Sequence, residues 1–253
     1  MDIAAAVRLA LELADAADAL TLARFRAVDL AVDTKPDLTP VSEADHAAEE
    51  RIRELLAAAA PTHAVAGEEF GDDGDAECRW IVDPIDGTKN YVRGVPIWAT
   101  LIGFERAGEL VAGVVSAPAL GSRWWAGHGL GAFRDGHRIT VSAVHDLADA
   151  QLSFAWDSNE RFDSVGERLL GLSRACWRTR ALGDFWQHVL VADGSFDISI
   201  DPIVAYWDAA ALLPIIAEAG GRWSTVGGET PSHPSSLVCT NGVLHEATLE
   251  FLR

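Results

Sequence analysis

Acidic residues gather at three places in this chain where an apolar run meets them: Glu68 and Glu69 after HAVAG, Asp83 and Asp86 in WIVDPIDGT (residues 80–88), and Asp208 in YWDAAALL. Asp83 and Asp86 stand three residues apart around Pro84, with no basic residue between them. Carboxylates that close repel each other unless a cation sits among them, and hard oxygen ligands suit magnesium. Gly87 and Thr88 follow, and would offer backbone N–H groups to a phosphate if a helix starts there. Each string also has a plainer reading. Asp-Pro and Asp-Gly are common turn dipeptides. Glu68 and Glu69 could belong to a solvated acidic loop with Asp72, Asp73 and Asp75, and Asp208 could simply accept the free N–H groups of a helix start.

Elements of fixed position must bring these distant strings together. Ile3, Val7, Ala10, Leu11 and Ala14 recur at helical spacing, as do Ala44, Ala48, Ile52, Leu55 and Ala59, which predicts two amphipathic helices. Ser42 is a suitable N-cap for the second, and DTKPDLTPVSEAD between them reads as a loop rich in Pro, Thr and Asp. From about Cys78 to Ser142 the short apolar runs RWIVD, IWATLIGF, LVAGVVSAP and RITVS, separated by Gly-containing turns, predict a sheet. After Gln151, strand-like QLSFAW and FDISI alternate with helical DFWQHVLVADG and WDAAALLPIIAEAG, and a last helix carries Leu244, Ala247 and Phe251. Pro214 removes a bond to the Ala210 carbonyl and predicts a kink. Together these predict a mixed, layered α/β fold over residues 1–253, with an internal boundary near 143–150.

Composition narrows the chemistry. A chain of 253 residues, 49% hydrophobic, can fill a sizeable core. Its formal net charge of -18 repels nucleic acid and anionic membranes. A phosphorylated small molecule is an anion too, so a protein this acidic needs local cations to hold one, which again favours a metal site. Cys78, Cys176 and Cys239 form no Cys-x-x-Cys pair and the eight histidines no His-Glu-x-x-His string, so neither a disulfide scaffold nor a zinc site is expected. The opening MDIAAAVRLALELADAADAL lacks the basic start and apolar core of a signal peptide, and no stretch is apolar enough to span a bilayer, so the expected location is the cytoplasm. Trp124 and Trp125 read as packing or a dimer surface, and His188 as a packed or exposed histidine.

The three acidic strings in this order, with KPDLTPVSEAD ahead and WDAAALLPIIAEAGG near the end, resemble the inositol monophosphatase family over nearly the whole chain. The resemblance implies a five-layered α/β/α/β/α fold, a homodimer, and a site for two to three Mg2+ ions. Glu68, Asp83, the Ile85 carbonyl and Thr88 would surround the first ion; Asp83, Asp86 and Asp208 the second; a third would lean on Glu68. Asp45 would pair with Thr88 to orient or deprotonate the attacking water, for direct in-line hydrolysis without a phosphoenzyme. Gly87 and Thr88 would hold the phosphate, and lithium sensitivity follows from the second metal position.

Within that family, Lys89 in DGTKNYVRG and the run Gly183, Asp184, Phe185 and Trp186 resemble the actinobacterial histidinol-phosphate phosphatase branch. Histidinol phosphate carries an ammonium and an imidazole, so Asp184 would pair with the cation while aromatic residues pack on the ring. Arg180 is a candidate for the phosphate or an acidic partner, and Lys89 is either a substrate contact or an outward-facing lysine. Asp201 stands where the family usually has a substrate-contacting glutamate, one methylene longer. An N-cap role for Asp184, with Phe185 and Trp186 in the core, is the plainer alternative. Inositol 1-phosphate, a sugar bisphosphate or adenosine 3',5'-bisphosphate are alternative substrates, and a non-catalytic metal-dependent binding protein is the alternative outside enzymes.

Overall fold

In the computed structural model, which describes residues 1–74, 76–155 and 160–253, the two amphipathic stretches fold as α1 (Ile3–Arg24) and, beyond a connection, α2 (Glu43–Ala59). Asp2 caps α1 by accepting from the Ala5 N–H at 2.7 Å. A capping box closes α2: Ser42 Oγ accepts from the Ala44 N–H, and Asp45 accepts from the Ser42 N–H at 2.8 Å. The connection departs from the expected loop, because β1 (Val32–Thr34) and β2 (Pro40–Ser42) pair antiparallel as a hairpin. Strands of three residues are too short for alternation to be read, and the prolines beside them look like turn signals.

Next come β3 (Ala64–Gly67), β4 (Gly71–Asp72), β5 (Cys78–Asp86), the short helix α3 (Thr88–Val92), β6 (Ala99–Arg106), β7 (Glu109–Ala117), β8 (Ser122–Gly127), β9 (Gly131–Arg134) and β10 (His137–Arg138). These strands form an eight-stranded sheet in the order β10-β9-β8-β7-β6-β5-β3-β4, antiparallel except where β3 lies parallel to β5. Of the RITVS run only Arg138 joins a strand; Ile139 and Val141 pack into the core instead. The rest is β11 (Gln151–Phe154), α4 (Glu160–Ala175), β12 (Arg178–Arg180), α5 (Asp184–Ala192), β13 (Ile198–Asp201), α6 (Tyr206–Ala210), α7 (Leu212–Glu218), β14 (Arg222–Ser224), β15 (Leu237–Thr240) and α8 (His245–Leu252). A second sheet of five strands runs β12-β11-β13-β15-β14. Asp75 of the acidic stretch and Trp156 of the QLSFAW run lie outside the described residues.

Three buried clusters define the layers. Ala10, Leu13 and Ala17 of α1 and Ile52 and Leu56 of α2 cover Trp80, Ile102, Phe104 and Val114 on one face of the large sheet. On its other face Leu101, Val115 and Trp124 meet Phe185, Val189, Leu212 and Ile215 of α5 and α7, which also touch Leu237 and Cys239 of the small sheet. Leu169 and Leu172 of α4 and Leu249 and Leu252 of α8 cover the small sheet's far side at Leu152, Ile198 and Val238. The order is therefore α/β/α/β/α, as the resemblance implies. The change of sheet falls between Arg138 and Gln151, while α5 and α7 are shared by both sheets.

The middle layer is held in register by the absence of side chains. The helical run around Pro214 breaks at Ala211, between α6 and α7, consistent with the missing proline N–H. Gly103 and Gly113 face each other across β6 and β7, and the break rests on them. A Cβ on Gly103 would lie 2.9 Å from that of Ala210, and one on Gly113 would collide with the Ala211 carbonyl. Gly113→Ala should therefore cost about 2 kcal/mol or more. The readout is a lower urea midpoint at unchanged slope; an unshifted midpoint would mean that α6 and α7 are not held by this contact.

Candidate active site

A regular strand sends residues i and i+3 to opposite faces. In β5, Asp83 pairs with Leu101 but Asp86 pairs with Ala99, so three steps on β5 oppose two on β6. This bulge reverses the alternation and brings both carboxylates to one side. Pro84 has no N–H to lose there, and its carbonyl accepts from Thr100 Oγ1 at 2.8 Å. The Ile85 N–H turns back to Asp83 Oδ1 at 2.9 Å. From α6, Asp208 completes the group: Asp83, Asp86 and Asp208 each offer a carboxylate oxygen within 4.8 Å of the others. Asp208 also accepts from the Ala205 N–H at 2.9 Å, so its helix-start role and its place in the cluster coexist.

Burial, and then the neighbouring acids Glu68, Asp86 and Asp208, push Asp83 well above the usual carboxylate range. Burial and the charges of Asp184 and Asp208 do the same to Asp86. Asp208 is pushed up to about 7, chiefly by burial, with Glu68 and Asp184 adding to the rise. Lys35 reaches in from the β1–β2 hairpin, its Nζ 2.7 Å from Glu68 Oε1 and 2.7 Å from Glu69 Oε1. Buried oxygen donors that cannot all ionise without a nearby cation fit a hard divalent ion.

Thr88 heads α3 behind Gly87, whose φ of 84° and close approach to the Ile97 carbonyl require glycine. Thr88 Oγ1 lies 2.9 Å from the Ile85 carbonyl and 3.2 Å from Asp45 Oδ1. The other Asp45 oxygen accepts from Ser42 twice, at N and at Oγ. Burial raises the fully enclosed Asp45 carboxyl, while the Ser42 and Thr88 bonds hold it down.

Beside the cluster lies a cavity of about 490 Å³. Asp86, Asp208, Lys89, Asp184 and Asp201 make its polar wall, and Leu182, Phe185, Ile203 and Leu212 its apolar one. Asp184 is the first residue of α5 behind the N-cap Gly183, and its Oδ2 accepts from Asn90 Nδ2 at 2.8 Å. The next N–H, of Phe185, donates to Asp86 Oδ2 at 2.5 Å. Phe185 is both a core residue and a cavity wall, whereas Trp186 packs on the core alone.

The profile of the inositol monophosphatase family matches residues 3–253. The chain belongs to that family. It is therefore a phosphoric monoester hydrolase, and its α/β/α/β/α layers are the family's fold. It is similar to the histidinol-phosphatase of Streptomyces coelicolor, 50% identical over 259 aligned positions, gaps included, which cover 97% of this chain and 96% of that protein. It is also similar to the histidinol-phosphatase of Mycobacterium tuberculosis, 51% identical over 247 residues covering 95% of each. Among solved structures, the extragenic suppressor protein suhB of Bartonella henselae superposes with a TM-score of 0.93 at 28% identity, covering 98% of each chain.

Of the residues singled out in sequence, Glu68, Asp83, Asp86, Asp208, Asp45, Thr88, Gly87, Lys89, Asp184 and Asp201 all lie at the cluster or its cavity. Arg180 does not: exposed on the edge strand β12, it donates to the Thr179 carbonyl at 2.8 Å and does not line the cavity. Asp201 accepts from the Ile203 N–H at 3.3 Å at the cavity rim. His188 also lines the cavity; it is buried and lies 2.9 Å from Ser199 Oγ. Sequence reasoning passed over Lys35 and Asn90, although both sit inside the motif strings, in KPDLTP and DGTKN.

The raised acids couple stability to pH in an unusual direction. Between the ordinary 3.8 and about 7, Asp208 holds a proton in the folded chain that it lacks in the unfolded one, so stability falls as pH rises through that window. In chelator the melting temperature should drop between pH 5 and pH 8, and Mg2+ should raise it by more at pH 8 than at pH 5. Equal Mg2+ shifts at both values would refute the coupling of these acids to a metal.

Proposed function

We propose that this phosphatase hydrolyses L-histidinol phosphate to L-histidinol and phosphate, a step of histidine biosynthesis, with Mg2+ held by Asp83, Asp86, Asp208, Glu68 and the Ile85 carbonyl. The observation that carries the substrate is the position of Asp184 beside the phosphate-holding turn. A Cβ on Gly87 would lie only 3.4 Å from Asp184 Oδ2. A carboxylate this close to a bound phosphate favours a substrate that carries a positive charge near the ester, beyond the charge that Lys89 brings to the same cavity. Histidinol phosphate does so, because its ammonium sits on the carbon next to the ester methylene; inositol phosphate has no such cation. The apolar wall of Leu182, Phe185 and Ile203 suits the imidazole ring. The two relatives at about half identity, both named histidinol-phosphatases, support the same reading.

The two to three Mg2+ ions would supply Lewis acidity, acidifying water and neutralising charge on the leaving oxygen. The protein's own groups do the rest. Ser42 fixes one Asp45 oxygen, leaving the other at the Thr88 hydroxyl, so this pair orients the attacking water and takes its proton. The Gly87 and Thr88 N–H groups hold equatorial phosphate oxygens at the start of α3. Water attacks phosphorus in line, the bond from phosphorus to the ester oxygen breaks, and the departing oxygen takes a proton from solvent. Lys89, which lines the same cavity, would add a positive charge there. The three free cysteines suit a reducing cytoplasm, and the homodimer is carried over from the family resemblance.

Phosphate release should be fast from L-histidinol phosphate with Mg2+, slow from inositol 1-phosphate, and lost from both in chelator. A preference for inositol 1-phosphate would keep the metal chemistry and overturn the substrate; turnover of neither would point to the binding-protein alternative. Asp83→Asn should lower kcat by about a thousandfold with an unchanged circular dichroism spectrum, and near-normal kcat would overturn the metal assignment.

A further inference from the structure

Asp184 occupies a backbone conformation that works against it. Its φ of 50° lies in the left-handed region, where a residue with a Cβ is disfavoured. Two bonds to the DPIDGTKN segment hold it there. One is the Phe185 N–H on Asp86; the other is the Asn90 amide, which donates to Asp184 Oδ2 at 2.8 Å and to the Ile97 carbonyl at 2.9 Å. Both Asn90 contacts are acceptors, so only its NH2 group fits between them, and the orientation of the amide is determined. The Asn90 backbone is fixed as well, because its carbonyl accepts from the Val95 N–H at 2.9 Å. With Oδ2 committed to Asn90, Asp184 Oδ1 has no hydrogen-bond partner among the described residues, and its side chain lines the cavity. Lys89 lines the same cavity, and its charge acts on Asp184 without an ion pair forming among the described residues.

We propose that Asn90 is a positioning residue for substrate selectivity: it holds the Asp184 carboxylate by Oδ2, away from Lys89, so that Oδ1 is presented to the ammonium of the substrate. This rests on the reading of Asp184 as the ammonium partner. A carboxylate at the start of a helix has free rotamers, and a nearby lysine would draw it if nothing held it. The amide removes that freedom before substrate arrives, which lowers the ordering cost of binding.

The test compares L-histidinol phosphate with glycerol 2-phosphate, an ester with no amine, in the Mg2+-loaded enzyme. Asn90→Leu should lower the ratio of kcat/KM for histidinol phosphate to that for glycerol 2-phosphate about tenfold, mainly through KM. Asp184→Asn should lower the same ratio as much, and the double variant should lower it no further, since the two residues act as one unit. An unchanged ratio in Asn90→Leu, with a lowered one in Asp184→Asn, would overturn the role of Asn90 and leave Asp184 standing. Additive losses would also overturn it. If Asp184→Asn leaves the ratio unchanged, the ammonium reading fails and this inference with it. Should Asn90→Leu not fold, the isosteric Asn90→Asp replaces the donor with a like charge and should produce the same loss.

Discussion

Carboxyl groups held within a few ångströms of one another and away from water cannot all be ionised, and the arrangement around them answers that repulsion. Each acid of the triad gives one oxygen to a backbone N–H: Asp83 to Ile85, Asp86 to Phe185 and Asp208 to Ala205. These bonds supply partial positive charge at fixed positions. Lys35 supplies the full charge, bridging Glu68 and Glu69 from a hairpin. A site held by main-chain bonds from three separate elements has little freedom to spread apart, so relief must come from protons or from a cation.

That rigidity depends on the middle layer. The large sheet supplies Asp83 and Asp86 through the β5 bulge, and α6 supplies Asp208 from the other side of the same interface. The facing glycines 103 and 113 let the α6–α7 break approach the sheet at backbone distance, which is closer than any side chain would permit. GEEF is held in a comparable way: the Glu49 carboxylate, paired with Arg53, packs against Gly67 and accepts from the Glu69 N–H at 2.8 Å. Glycine at these points is needed because it leaves room for a neighbour.

Much of this was legible in the sequence because the acids interrupt apolar runs, and such interruptions stand out in a chain otherwise able to bury itself. The three strings, the N-cap at Ser42 and the kink near Pro214 could all be read locally. What joins them could not. Whether Asp83 and Asp86 point the same way depends on the register of β5 against β6, and a single extra residue decides it. Lys35 lies in the turn that joins β1 to β2, and nothing in its place along the chain points to Glu68 and Glu69. Arg180 looked useful because of its charge, but its edge strand holds it away from the cavity. Asn90 was hidden in plain view: its partners Ile97 and Asp184 lie 7 and 94 residues away, and an amide announces nothing about what it will bond.

The acid cluster and the cavity wall meet at one peptide unit. The Phe185 N–H that steadies Asp86 belongs to the peptide bond that follows Asp184, so a residue that lines the cavity also sets the direction of that bond. The bond to Asp86 needs only the backbone, and any side chain that tolerates a φ of 50° would preserve it. The chemistry displayed at position 184 can therefore be exchanged without disturbing the clustered acids, whereas its conformation cannot. If Asp184 meets the substrate as proposed, a shared hydrolytic core can serve different phosphate esters on those terms, with the charge of the first α5 residue answering to the substrate and its backbone answering to Asp86.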